Sequence, residues 1–460
     1  MNVTRRLVDF AKDLSYDALP KEVQDRAKYF FLDELCLILR GQQVRSTQII
    51  LDFAKKVGGR GDAPATGTHE WLPAQYAALV NGASAHSLEL DDVGDEASAH
   101  PGTVLFPALL PISFECQSSG KEFLASIVAG YEVVIKIGKV LTPAGMYRKG
   151  FHPTTLCGNF GAAIAVAKLI GLDANKMHYA IGIAGSTTGG NMQCLTEVTP
   201  AKRFQAGWAA HNGVLCARLA EAGFEAPLQI LEGRDGIFHA YSDDPQYSRI
   251  TGAFADPYEI MRTSVKAHAC CGYSLMAMDA VLEIVKKRDL RPADIRKITI
   301  GLLKTGIPIV AEPIEEKIHP KTQVDTQFSV QYGVAMCVLQ RKALLDEHDV
   351  KYCSDPEMID LMAKVECVND PKLDARYPKQ WSSWAKIETN SGETFSAEVP
   401  YRKGSPENPL SLDEMIEKFT SLAAPVLKPD ASAKIIGEIL SLEKMQDMRD
   451  LHRLLENALI

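Results

Sequence analysis

What the chain lacks narrows the reading first. None of its ten cysteines, at positions 36, 116, 157, 194, 216, 270, 271, 337, 353 and 367, forms a C-x-x-C pair. That argues against an iron–sulfur centre, which needs closely placed thiolates. It fits reduced thiols serving as small core residues, and so a cytoplasmic protein. No apolar run approaches the roughly 18–20 residues that span a bilayer. Arg5 and Arg6 are followed at once by Asp9, Lys12 and Asp13, so no secretory signal core is expected. Basic charge is short: 50 Lys and Arg stand against 58 Asp and Glu, a net charge of −8, which argues against nucleic acid as the main partner. A local cationic pocket for an acidic substrate is still compatible with that balance. No H-E-x-x-H or Cys/His cluster occurs, and His100, His152 and His268 are far apart in sequence, so no metal site is expected. Gly185, Gly189 and Gly190 follow a helical pattern rather than a strand, and make no dinucleotide loop. Internal repeats and low-complexity segments are absent.

What is present is 460 residues with 46% apolar and 23% charged content, enough for two or three domains with a large core. Helical periodicity dominates the first 260 residues. Val23, Ala27, Phe30, Phe31, Leu35, Ile38 and Leu39 recur near a 3.6-residue period, and a second helix over 49–57 is stopped by Gly58-Gly59. Pro73–Ser87 is rich in alanine and reads as a central helix. Helices follow over 120–141, 155–170, 173–186 and 202–223; the one at 155–170 is nearly charge-free and predicts full burial. After about residue 265 the pattern changes. Ile295–Leu303 alternates as a strand, and Trp384–Thr389 with Thr394–Val399 flank a Gly-containing turn, as in a hairpin. Helices at 272–288 and 326–342 accompany them. The expected fold is mainly α: a large helical domain, residues 1–265 and 401–460, interrupted by a smaller α+β lid domain at 266–400.

The densest chemistry lies in Ala83–Pro107, where His86, Glu89, Asp91, Asp92, Asp95, Glu96 and His100 fall within fifteen residues. Such a cluster is a solvated acidic loop or lines a polar pocket, because buried carboxylates need partners. A histidine among carboxylates titrates near neutrality and suits general acid–base work. A second group is Tyr147–Thr154, with His152 at the mouth of the buried helix and Tyr147 as a supporting hydroxyl. A helix N-terminus favours a carboxylate, though a capping and packing role for His152 is equally compatible with the pattern. A third is Lys202-Arg203, two cations ahead of an alanine-rich helix and suited to carboxylate groups. A fourth is Lys266 to Ser274, containing His268, Cys270 and Cys271, at a domain junction. Arg402, in a Pro/Gly-rich return segment, is a further carboxylate contact or simply a turn residue.

The pattern N-G-x-x-A-H-x-x-x-x-D-D at 81–92, followed by His100-Pro101, resembles the MmgE/PrpD family, and the likeness runs on through Gly150–Thr154, Thr199–Gly213 and the region of Lys266. Its members include 2-methylcitrate dehydratase, cis-aconitate decarboxylase and iminodisuccinate epimerase. The resemblance implies a discontinuous helical domain with a lid, a homodimer, and active-site roles for the residues matching Asp91, Asp92, His100, His152 and Lys202. The chain departs from the family pattern at Glu89 (usually Asp), Val93 (usually Thr), Gln205 (usually His) and Leu275 (usually His). It also lacks the tryptophan-containing acidic motif associated with 2-methylcitrate dehydratases.

Together these residues predict a cofactor-free lyase or isomerase that abstracts a proton next to a carboxylate of a small di- or tricarboxylic acid. His100, His152, Lys202, His268 and Asp91 are the expected catalytic residues. Asp92, Tyr147, Arg203, Lys266 and Arg402 are the expected substrate contacts, and no metal, nucleic acid or membrane partner is expected. The competing readings are a catalytically decayed interaction protein on the same scaffold, for which Gln205 and Leu275 speak, and a metal-dependent hydrolase.

Overall fold

The computed structural model describes residues 2–197, 199–252, 254–377 and 380–460. The chain is mainly α and divides into two compact units, Met1–Val265 with Ser411–Ile460, and Lys266–Leu410.

The first unit is helical. Its centre is a set of packed helices: Lys21–Gly41, Ala74–Ala85, Gly102–Glu115, Gly120–Leu141, Pro153–Leu169 and Ala201–Glu221. Small residues bring them close. A Cβ on Gly82 would stand 2.7 Å from Gly207 Cα, and one on Gly207 would collide with the Leu79 carbonyl. The two alanine-rich helices therefore touch backbone to backbone. Gly120–Leu141 opens with a capping box, Ser119 and Glu122 satisfying each other's backbone N–H groups. Pro153–Leu169 starts with proline at its first turn and is buried along nearly its whole length, as its charge-free sequence predicts.

The Gly102–Glu115 helix runs through Pro107 and Pro111, where the sequence reads only as an apolar run broken by prolines. An interior proline costs about 3 kcal/mol. Twelve consecutive residues from Gly102 to Ser113 are buried, and that apolar burial outweighs the two missing hydrogen bonds.

The second unit holds a four-stranded sheet. In spatial order the strands are Val365–Asn369, Ile295–Leu302, Ser383–Thr389 and Thr394–Val399. The first pair is parallel and the others antiparallel, with Ile298 opposite Val365 and Ile387, and Ile387 opposite Phe395. The Gly272–Arg288 and Val330–Gln340 helices pack with Ile298, Ile300, Ala385 and Ile387 into one core. The Val365–Asn369 strand is missing from the sequence reading: it is five residues long, at a sheet edge, and only Val365 is fully buried, so it lacks a clean alternation. Residues 401–410, expected with the C-terminal helices, belong to the second unit. There the Lys403 N–H donates to Asp279 Oδ2 at 2.8 Å, and the Arg402 guanidinium lies 5.9 Å from the Trp381 ring centroid.

Candidate active site

Three histidines of the first unit converge, each from a different position in the chain. His86 ends the Ala74–Ala85 helix, His100 precedes Gly102–Glu115, and His152 precedes Pro153–Leu169. The His86 ring centroid lies 5.0 Å from that of His100 and 5.9 Å from that of His152.

Their hydrogen bonds fix which nitrogen carries the proton. Gln205 donates its amide N–H to the Asn191 carbonyl at 2.8 Å, so its Oε1 is the atom turned to His152 Nδ1, at 2.7 Å. An amide oxygen only accepts, so His152 carries its proton on Nδ1 and keeps a lone pair on Nε2. His100 Nδ1 lies 2.6 Å from the Asp92 carbonyl and 2.6 Å from Asp91 Oδ2, acceptors both. His86 Nδ1 lies 2.9 Å from the same Asp91 oxygen. All three imidazoles thus have Nδ1 engaged and Nε2 basic. This is how second-layer acceptors orient acid–base histidines.

Burial sets their charge. It pushes His86 down to about 4, against the pull of Asp91, and holds His152 well below the usual histidine range, helped by His86 and Lys202. Neutral His86 and His152 beside a cation are arranged to accept protons.

The cation is Lys202, from the first turn of the Ala201–Glu221 helix, whose Nζ lies 2.6 Å from Glu89 Oε1. Glu89 has φ of 56°, a left-handed conformation that costs a non-glycine residue of order 1 kcal/mol. Arg203 donates to Ser46 Oγ at 3.2 Å and also feels the charge of Glu89. Tyr147 is partly exposed and its hydroxyl lies 2.5 Å from Ser98 Oγ, at the far side of the acidic loop. Gly190 takes φ of 105° and its carbonyl accepts the His152 N–H at 3.1 Å, so these glycines serve the histidine's backbone.

Beneath the loop lies a layer of buried carboxylates. Asp92 accepts from the Gly102 N–H at 3.0 Å and the Tyr131 hydroxyl at 2.7 Å. Asp33 pairs with Lys418 at 2.5 Å, and the same ammonium donates to the Leu90 carbonyl at 2.9 Å. Glu34 is fully buried against Gly102. Burial raises Glu34 and Asp92 well above the carboxylate range, with Asp92 and Asp33 adding to the effect on Glu34, and Tyr131 opposing it for Asp92.

His86, Asp91 and His100 offer donor atoms within 4.8 Å of one another, which is the requirement for a shared metal ion. Two ligands about a metal with bonds near 2.1 Å stand roughly 3.3 Å apart in a tetrahedral site. The observed separations of 2.9 and 2.6 Å through one Asp91 oxygen are hydrogen-bond distances. As they stand the three residues share protons through that oxygen, and the same atoms are the candidate set for a metal ion.

Lys266, His268 and Arg402 belong to the second unit, where all three are buried. His268 Nε2 lies 2.9 Å from Asp279 Oδ1, whose other oxygen is held by the Lys403 N–H. Leu275 is a core residue, packed with Met276, Met278 and Val281.

The sequence reading named His100, His152, Lys202 and Asp91, and these lie in one cluster. It did not assign roles to His86, Glu89 or Gln205. His86 has a signal in its five-residue spacing from Asp91; Gln205, a departure that puts one polar contact in doubt in the sequence, is the acceptor that orients His152.

Residues 5–250 match the profile of the MmgE/PrpD N-terminal domain, and residues 268–444 that of the MmgE/PrpD C-terminal domain. Over its full length the chain is 28% identical to a cis-aconitate decarboxylase-like protein, oryM, of Aspergillus oryzae, covering 98% of that protein. It is 26% identical to the cis-aconitate decarboxylase of Aspergillus terreus, across 98% of this chain and 96% of the relative. It is 25% identical to the human cis-aconitate decarboxylase, across 99% and 95%. With both domain profiles matched in order and a histidine–aspartate cluster built at the N-G-x-x-A-H-x-x-x-x-D-D motif, the chain belongs to the MmgE/PrpD family.

Proposed function

We propose that the chain is a lyase or isomerase that moves a proton at a carbon next to a carboxylate of a small di- or tricarboxylic acid, without a cofactor. The observation that carries this is the common tautomer of His86, His100 and His152, each anchored through Nδ1 with Nε2 left as base. Such chemistry needs a positioned base and a cation for the charge that develops on the substrate. His100, oriented by Asp91, or His152, oriented by Gln205, is the base, and Lys202 anchors a carboxylate in exchange for Glu89. Asp92 holds the loop from beneath, and Arg203 and Tyr147 act at the margin. His268 is assigned the acid's role, and Lys266 and Arg402 are assigned carboxylates. Loss of CO2 is the favoured outcome, because the relatives above are decarboxylases and decarboxylase-like proteins. Dehydration and epimerisation follow from the same proton transfer.

Gln205 weakens the reading of a decayed scaffold, since it fills its position with a working contact. The metal-dependent alternative predicts a stoichiometric ion in purified protein.

The homodimer is part of this proposal. Ile49, Phe53 and Val57 recur every four residues on the Arg45–Gly58 helix and are exposed; Phe204, Trp208 and Leu215, spaced four and then seven residues apart, are exposed on Ala201–Glu221. Tyr76 bridges them, against Gly58 on one side and 5.4 Å from the His211 ring on the other. A strip of this size on a water-facing surface marks an interface, and a second copy is the occupant the family implies.

The test is proton NMR in D2O with cis-aconitate, citrate, 2-methylcitrate and iminodisuccinate. Conversion, or deuterium entering next to a carboxylate without added metal, is the expected result. No change with any acid in folded protein would overturn it.

A further inference from the structure

His86 is assigned none of the catalytic roles above, yet it is the most enclosed of the three histidines. It is fully buried, its ring lies between those of His100 and His152, and its Nε2 has no hydrogen-bond partner among the described residues. Among the described residues its ring hydrogen-bonds to Asp91 Oδ2, the oxygen that also receives His100 Nδ1.

We propose that His86 is a positioning residue that sets the basicity of His100 by sharing Asp91 Oδ2. The inference rests on the reading of His100 as an acid–base group and adds what tunes it. A carboxylate oxygen that accepts two N–H groups offers each less than it would offer one alone. While His86 donates, the imidazolium form of His100 is held less tightly, and His100 gives its proton up more readily. Burial keeps His86 itself uncharged near neutrality, so it acts through its N–H and not through a charge. The groups facing His86 are Asp91, Lys202, His100 and His152; those around Asp91 include Asp33, Glu34 and Asp92. Lys202 and the two imidazoles oppose a proton on His86, which reinforces its role as a neutral donor.

The arrangement makes a demand on the unmodified protein. Nitrogen-15 spectra of its histidines must show both His86 and His100 as the Nδ1–H form when neutral. Finding either as the Nε2–H form would overturn the proposal without any substitution. Two variants then separate sharing from packing. His86→Phe keeps a ring in the stack and removes the N–H. His86→Asn places an amide N–H close to where Nδ1 stands. The proposal expects His86→Phe to raise the NMR titration midpoint of His100 by about one pH unit, with His86→Asn returning it toward the wild-type position. Unchanged midpoints in both folded variants would reduce His86 to a packing residue. The titrations need no substrate. Inactivity toward every acid tried, with the midpoint shift present, would count against the proton-transfer reading and leave the sharing of Asp91 intact.

Discussion

At the scale of single residues, the site turns on which atom faces which. Gln205 is the clearest case, because its bond to Asn191 leaves only Oε1 for His152. Gln205→Leu removes that acceptor and lets the ring turn; kcat should fall about 10- to 100-fold, the usual cost of losing an orienting partner. Gln205→Glu keeps an acceptor and should retain more activity than the leucine variant. Lys202→Ala should raise KM about tenfold or more, in line with a lost charge-assisted contact, and unchanged kinetics would remove it from the site. These residues were legible to different degrees. His100 and Lys202 stand out only weakly by their company of acids and cations, and it is the family resemblance that singles them out. His86 sat in view but had no assigned part, because nothing in one sequence says that two histidines meet one carboxylate oxygen. Gln205 looked like a loss since the eye follows residue type, whereas the geometry asks only for an acceptor.

Among the elements, periodicity carried most of the reading. The buried helix, the strand from Ile295 and the hairpin all lie where spacing puts them. The proline-interrupted helix and the edge strand at Val365 were not legible, because burial decides the first and pairing with a distant strand decides the second. The segment around Glu259 shows packing that sequence hides as well. Its N–H donates to Glu132 at 2.5 Å, while Lys136 and Lys139 hold its own carboxylate at 3.0 and 2.7 Å. Burial raises Glu132 from 4.5 to about 7, opposed by the Glu259 N–H and aided to a lesser extent by the Glu259 carboxylate. A carboxyl raised on folding stabilises fully below its unfolded value and loses that contribution as pH climbs through its folded value. Glu132→Gln keeps the accepting oxygen and removes the titration. Its stability should gain on that of the wild type between pH 5 and 8, by up to about 3 kcal/mol, measured by urea unfolding. A constant difference across that range would refute the assignment. Lys418→Met tests the layer under the loop in the same way. It leaves Asp33 buried without its cation, a loss of about 3–5 kcal/mol when one partner of a buried pair goes.

For the molecule as a whole, the proposed dimer rests on the exposed side chains of Ile49, Phe53, Phe204 and Trp208, with the half-buried Tyr76 between them. Trp208→Glu should turn a dimer into a monomer in sedimentation velocity, and a wild type that runs as a monomer would overturn the dimer outright. The sequence carried the division into a helical body and an α+β insert, because the hydrophobic period changes near residue 265. It did not carry the strip, since helical surface residues are seen as exposed only after the neighbouring helices are in place.

The contact between Lys418 and the Leu90 carbonyl spans 328 residues of chain, and that separation bears on how the protein is made. A ribosome releases the acidic loop and the carboxylates beneath it long before the lysine that neutralises them. Until then Asp33 stands without its partner, and the loop that carries His100 has no anchor from that side. The helical body therefore reaches its working form only after the intervening unit has been synthesised. A nascent chain stalled inside that unit should hold the loop protease-sensitive, and release of the last fifty residues should protect it.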